Sequence, residues 1–201
     1  MKTVKVILFA VALLIGANAN AQLGILPFSF GIKGGVNSSN FGGDAKDTSS
    51  KAGWNAGLTL DVSLPASFYV ASGVELTTKG AKFEGLGFEE KASANPLYIQ
   101  VPIHLGYKIS LVPTTKLVIH AGPYWAYGLT GKVKVDGEKT DFFGKNGIAK
   151  KNDFGIGVGA GVKVLILNIG VGYDFGLANI SDVDGTKIRN RNAYVSAGIS
   201  F

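Results

Sequence analysis

Between residues 54 and 64 every second position is apolar. Trp54, Ala56, Leu58, Leu60, Val62 and Leu64 alternate with Asn55, Gly57, Thr59, Asp61 and Ser63. Successive side chains of an extended chain point to opposite faces, so one face of this segment is greasy and the other polar or small. The same alternation recurs in eight segments, and no charge falls on an apolar face in any of them. A soluble, lipocalin-like barrel would carry the inverse pattern, polar outside and apolar within. The pattern therefore predicts an all-β chain, an eight-stranded antiparallel up-and-down transmembrane β-barrel whose outer surface meets lipid.

The N-terminus suits export. Lys2 and Lys5 precede an apolar run over 6–15, and Ala19-Asn20-Ala21 supplies small residues for cleavage before Gln22. Residues 1–21 read as a signal peptide and 22–201 as one barrel domain. The apolar run is too short to span a bilayer, and no later segment has the ~20 apolar residues of a membrane helix. Glycine is abundant, 29 of 201 residues, about twice the usual ~7%. Cysteine is absent, which excludes disulfides and thiol chemistry. The net charge is +6, and its basic residues are spread along the chain, which argues against a nucleic-acid partner.

The predicted strands are 28–37, 54–64, 68–78, 97–109, 116–129, 154–164, 167–177 and a last one ending at Phe201. Long polar connections follow the odd strands (38–53, 80–96, 130–153 and 178–192), and tight turns follow the even ones (65–67, 110–115 and 165–166). Outer-membrane barrels pair short periplasmic turns with long external loops, so both termini are expected in the periplasm of a Gram-negative cell. Lys33, Asp61, Glu75, Lys79, Lys108, Lys116, Lys163 and Asp174 point inward by phase, and the other charges of the mature chain fall in the loops or at their edges. Phe28, Phe68, Tyr107 and Phe201 mark one membrane boundary; Trp54, Trp125, Tyr127, Phe154 and Phe175 mark the other. Pro102 and Pro123 lie within strands, where proline removes a ladder donor, and either could mark a bulge.

Three stretches resemble the small outer-membrane β-barrel ("porin family") proteins of Bacteroidetes. They are Gly31-Ile32-Lys33-Gly34-Gly35-Val36-Asn37-Ser38-Ser39-Asn40-Phe41, Gly122-Pro123-Tyr124-Trp125-Ala126-Tyr127 and Tyr173-Asp174-Phe175-Gly176-Leu177-Ala178-Asn179-Ile180. The resemblance covers essentially the whole mature chain and carries no catalytic signature. It implies an outer-membrane location and engagement of the barrel assembly machinery through the strand ending at Phe201. Ser196 stands where that C-terminal pattern often has glycine.

Eight strands leave an interior that side chains can fill. Lys33, Asp61, Glu75, Gln100, His104, His120, Tyr124 and Asp174 are predicted to share it, either as a structural plug of ion pairs and hydrogen bonds or as the lining of a narrow passage. Lys108, Lys116 and Lys163 fall at the periplasmic mouth. Gly155, Gly157, Gly159 and Gly161 imitate a phosphate loop, but no helix follows them, and they are expected to make room in the lumen. Asp182-Val183-Asp184-Gly185 has the start of a calcium loop, with Ala193 where its closing glutamate should be. His104 and His120, the two histidines, face inward from adjacent strands, without an adjacent serine and orienting acid.

No catalytic, cofactor or metal residue is therefore expected. The predicted function is a non-enzymatic barrel with four external loops, serving envelope structure or surface contact. A narrow solute channel, an accessory barrel of a secretion machine and a lipid-modifying barrel enzyme are the alternatives. Phe83, Phe88, Phe142 and Phe143 are candidates for loop contacts, with outer-membrane lipid or lipopolysaccharide as partner, unless they pack over the barrel mouth.

Overall fold

The computed structural model describes residues 27–45, 47–83, 92–135, 138–144, 147–183 and 185–201. The segment 1–21, expected to be a signal peptide, and Phe88 lie outside them. Among the described residues twelve strands occur in chain order: β1 Phe28–Gly43, β2 Thr48–Ser63, β3 Phe68–Thr78, β4 Ala81–Phe83, β5 Ala92–Ala94, β6 Leu97–Val112, β7 Thr115–Thr130, β8 Lys132–Val135, β9 Glu138–Asp141, β10 Asn152–Val164, β11 Leu167–Gly176 and β12 Ile188–Ser200. Eight of them form one antiparallel ring, in the order β1-β2-β3-β6-β7-β10-β11-β12. It closes because β1 pairs on both edges, Gly31 lying opposite Thr59 of β2 and Ser200 of β12. Closure leaves no free edge, as a sheet in lipid requires.

The predicted phases hold throughout the ring. Ile32, Val36, Ile103 and Ile169 are all more than half exposed on the outside. Tyr69, Tyr98, Tyr124 and Asp174, one residue out of phase with such positions, are at most 2% exposed. Phe68 and Tyr107 meet edge-on at the turn end, with ring centroids 5.1 Å apart, and Trp125 and Tyr127 lie 6.2 Å apart at the loop end. Pro102 opposite Tyr124 and Pro123 opposite Ile156 leave the register unshifted on both sides, so neither marks a bulge. The Ser72 hydroxyl donates to the Pro102 carbonyl at 2.9 Å.

The connections depart from expectation. The loop predicted over 38–53 is almost all strand, because β1 runs on to Gly43 and β2 starts at Thr48. Likewise β12 starts at Ile188, inside the predicted 178–192 loop. Ser38-Ser39-Asn40 and Arg189-Asn190-Arg191 are polar on both faces and so read as loop. The ladder needs only backbone groups, and above the lipid the outer face need not be apolar. Strands β4, β5, β8 and β9 form a second small sheet that grows from the start of β2 and arches over the loop end. The turn end is tight: Pro113 and Thr114 join β6 to β7, and Leu165 and Ile166 join β10 to β11, with Leu165 in the left-handed region at φ 54°.

Candidate functional site: the lumen and its cap

Inward phase brings the predicted polar residues together in layers. Nearest the loop end, Lys79, the residue after β3, and Asp153 from β10 meet at 3.1 Å, both side chains fully buried. Asp153 Oδ2 also accepts from Asn190 Nδ2 at 2.9 Å and from the Tyr124 hydroxyl at 3.3 Å. The Lys79 ammonium lies 4.3 Å from the centroid of the Tyr124 ring and 5.4 Å from that of Tyr98. A buried ammonium is thus matched by one carboxylate and two aromatic faces, which offset its lost hydration.

The next layer spans the barrel. Lys33 pairs with Glu75. Gln100 Nε2 donates to Glu75 Oε1 at 3.2 Å and to Asp174 Oδ2 at 3.1 Å. Asn192 Nδ2 donates to the same Asp174 oxygen at 3.4 Å, and Asn37 Nδ2 donates to Asn192 Oδ1 at 2.9 Å and to the Thr78 carbonyl at 2.6 Å. Residues from β1, β3, β6, β11 and β12 are linked by this chain of bonds.

Below it the two histidines stack. His104 and His120 have ring planes 24° apart and Nδ1 atoms 2.8 Å apart, so one Nδ1 donates to the other. Glycines of β10 make the space: a Cβ at Gly157 would come within 2.8 Å of the His104 ring, and one at Gly159 would strike His120. The phosphate-loop imitation is therefore a set of notches for lumen rings. Among the described residues no three His, Asp or Glu side chains gather as a metal-binding group.

At the turn end Lys163 pairs with Asp61, and Lys108 donates to Ser63 Oγ at 3.0 Å with its ammonium 4.7 Å from the Tyr69 ring centroid. Lys116 is exposed. A cavity of about 140 Å³ runs past the histidines from these groups to the layer above, lined by Asp61, Tyr69, Glu75, His120 and Tyr194 among others.

Over the loop end, Phe41, Phe142, Phe143, Tyr98 and Ile180 form an apolar cluster with Phe83 packed against it. Phe41 stacks on Phe142 at 6.1 Å, and Phe143 stands edge-on to Tyr98 at 5.4 Å. Phe142 and Phe143 are buried, so they cover the mouth and are not exposed contacts; Phe83 is half-buried. An aromatic tip on a long loop lowers its energy by folding onto the apolar rim beneath it. In the same cap Lys51 donates to Ser93 Oγ at 3.2 Å, and burial, with Lys82 nearby, holds its ammonium below the ordinary lysine range.

Asp153, Asn190, Asn192 and Lys79 carry the upper layers; strand phase points Lys79 inward, but the lumen residues drawn from the sequence lack the other three. Carrying strand phase past the apolar segment would have found these three. Asp153 precedes outward Phe154, and Asn190 and Asn192 continue the inward phase of Tyr194.

Residues 17–182 match the family model described as outer membrane protein beta-barrel domain. Among solved structures, the fold is similar to Neisserial surface protein A (NspA) at TM-score 0.50 and 11% identity, covering 86% of this chain and 97% of that one. OprG from Pseudomonas aeruginosa gives 0.47 and 13%, covering 89% and 98%. Ail of Yersinia pestis gives 0.45 and 17%, covering 86% and 98%. No curated protein matches.

Proposed function

The chain belongs to the outer-membrane β-barrel family, and on that premise we propose that it is a non-enzymatic barrel with a closed lumen. Its loop end faces the outside of the cell and its turn end the periplasm, and it serves envelope structure or surface contact. The observation that carries this reading is the Lys79–Asp153 pair, fully buried in the upper lumen beneath Phe143. Charges at 0% exposure leave no water column beside them, and the hydrogen-bonded layer of Glu75, Gln100, Asp174, Asn192 and Asn37 forms a second barrier below. The engagement of the two imidazoles with each other supports a structural role for them in place of a general base. Lipid covers the outward face, and the strand ending at Phe201 engages the barrel assembly machinery during biogenesis.

The test is solute entry. Vesicles containing the refolded protein are expected to swell in isotonic arabinose no faster than empty ones. A swelling rate that climbs with the amount of inserted protein would overturn closure and favour the channel reading, in which the cavity of about 140 Å³ becomes its vestibule.

A further inference from the structure

The outward register of the eight barrel strands carries two charged residues among those described, and both are arginines on one strand. Arg189 and Arg191 sit two residues apart on β12, in phase with exposed Val195 and Ala197. From Phe201 at the turn end to Arg191 there are ten residue steps of about 3.3 Å, which climb about 25 Å when tilted by about 40°. That equals the height of the apolar band of an outer-membrane barrel, about 25 Å. Arg191 therefore lies at the boundary between acyl chains and headgroups, and Arg189 lies about 5 Å higher.

The local structure holds these cations on the wall. Arg191 Nη1 donates to the Gly176 carbonyl at 2.8 Å and to the Asn190 carbonyl at 3.3 Å. Its guanidinium carbon lies 5.8 Å from the centroid of the Phe175 ring. On the other side β1 presents Asn40 opposite Arg191 and Gly42 opposite Arg189, and a Cβ at Gly42 would come 3.4 Å from Arg191 Nε. The arginine thus lies across a bare stretch of β1. Arg189 Nε, a buried donor, has no acceptor among the described residues. Among the described residues no acidic side chain shares this outward register, and neither arginine forms an ion pair.

We propose that Arg189 and Arg191 form a docking site for the phosphate of a phosphorylated glycolipid in the outer leaflet. The choice of that leaflet rests on the orientation proposed above. A guanidinium presents a planar fork of donors that fits a phosphate, and two forks about 5 Å apart in height can grip one headgroup from the acyl boundary and from above. The low dielectric beside the acyl chains strengthens these bonds.

The test is native mass spectrometry of the purified full chain offered lipid A, dephosphorylated lipid A or phosphatidylglycerol. Wild-type barrel is expected to retain lipid A, and Arg189→Gln/Arg191→Gln to retain about ten-fold less, as the loss of charge-assisted bonds implies. A heat-modifiability gel confirms that the variant is folded, and Lys116→Gln, which removes a charge from the turn end, is expected to bind like wild type. Equal retention by the double variant, or equal retention of either other lipid by the wild type, overturns the site. Orientation is read separately by impermeant maleimide labelling of Asp182→Cys on intact cells, the chain having no other cysteine. Failure of that reading is thus distinct from failure to bind.

Discussion

Lys79 and Asp153 lie 74 positions apart in sequence and meet at 3.1 Å with neither side chain touching solvent. Removing one partner strands a buried charge. Asp153→Ala is expected to lower stability by about 3–5 kcal/mol, measured as the shift in urea unfolding of the protein in vesicles. The apolar exchange Lys79→Met/Asp153→Leu should recover most of that loss, because it removes both charges together. Equal loss in the single and double variants would mean that the ion pair is not the source.

Leu58 and Thr59 are neighbours on opposite faces of β2. Leu58→Arg should cost roughly 2–4 kcal/mol near the bilayer midplane and reduce the folded fraction in a heat-modifiability gel. Thr59→Arg adds its charge beside the polar cavity of about 140 Å³ that Thr59 lines and should fold in near-normal yield. Identical behaviour of the two would contradict the strand phase.

Gly159 faces His120 with no room for a side chain. Gly159→Val should destabilise the barrel by about 1–3 kcal/mol through overpacking. Adding His120→Ala should recover part of this, and a double-mutant cycle on unfolding free energies reads the coupling. Strict additivity would mean that the two groups do not touch.

Phe143 packs edge-on to Tyr98 and to Phe142, with centroids at 5.4 Å and 4.9 Å. Phe143→Ala should cost the cap about 3–5 kcal/mol of local stability while the barrel below stays closed on itself. Limited proteolysis should then cut between 131 and 151 within minutes and leave the membrane-embedded strands intact. Resistance equal to wild type would show that the cap is held by other contacts.

The barrel itself was legible in the sequence because lipid imposes a strict rule: within the apolar band, one face must be apolar at every second residue. Leu58, Val158 and Val171 obey it and fix the phase of their neighbours. Beyond the band the rule lapses. Thus Ser38, Asn40, Arg189 and Arg191 lie in regular strand that composition presents as loop. The lumen was legible as a set of residues but not as a set of pairs. Phase says that Lys33, Glu75, Asp61 and Lys163 point inward, whereas the pairing of Lys33 with Glu75 and of Lys163 with Asp61 depends on the stagger around the ring. Burial of Phe142 and Phe143 was one of two open readings, because an aromatic in a loop can face water or the rim beneath it. The cap sheet decides between them.

Closure of the lumen is tested most directly by single-channel recording of the refolded full chain in a planar bilayer, with insertion verified on the same sample. With Lys79 and Asp153 bridging the upper lumen beneath the aromatic cap, the wild-type protein should give a silent trace. Discrete, ion-selective openings from the wild-type protein would contradict a closed lumen and make Lys33, Asp61, Glu75 and Asp174 the lining of a passage.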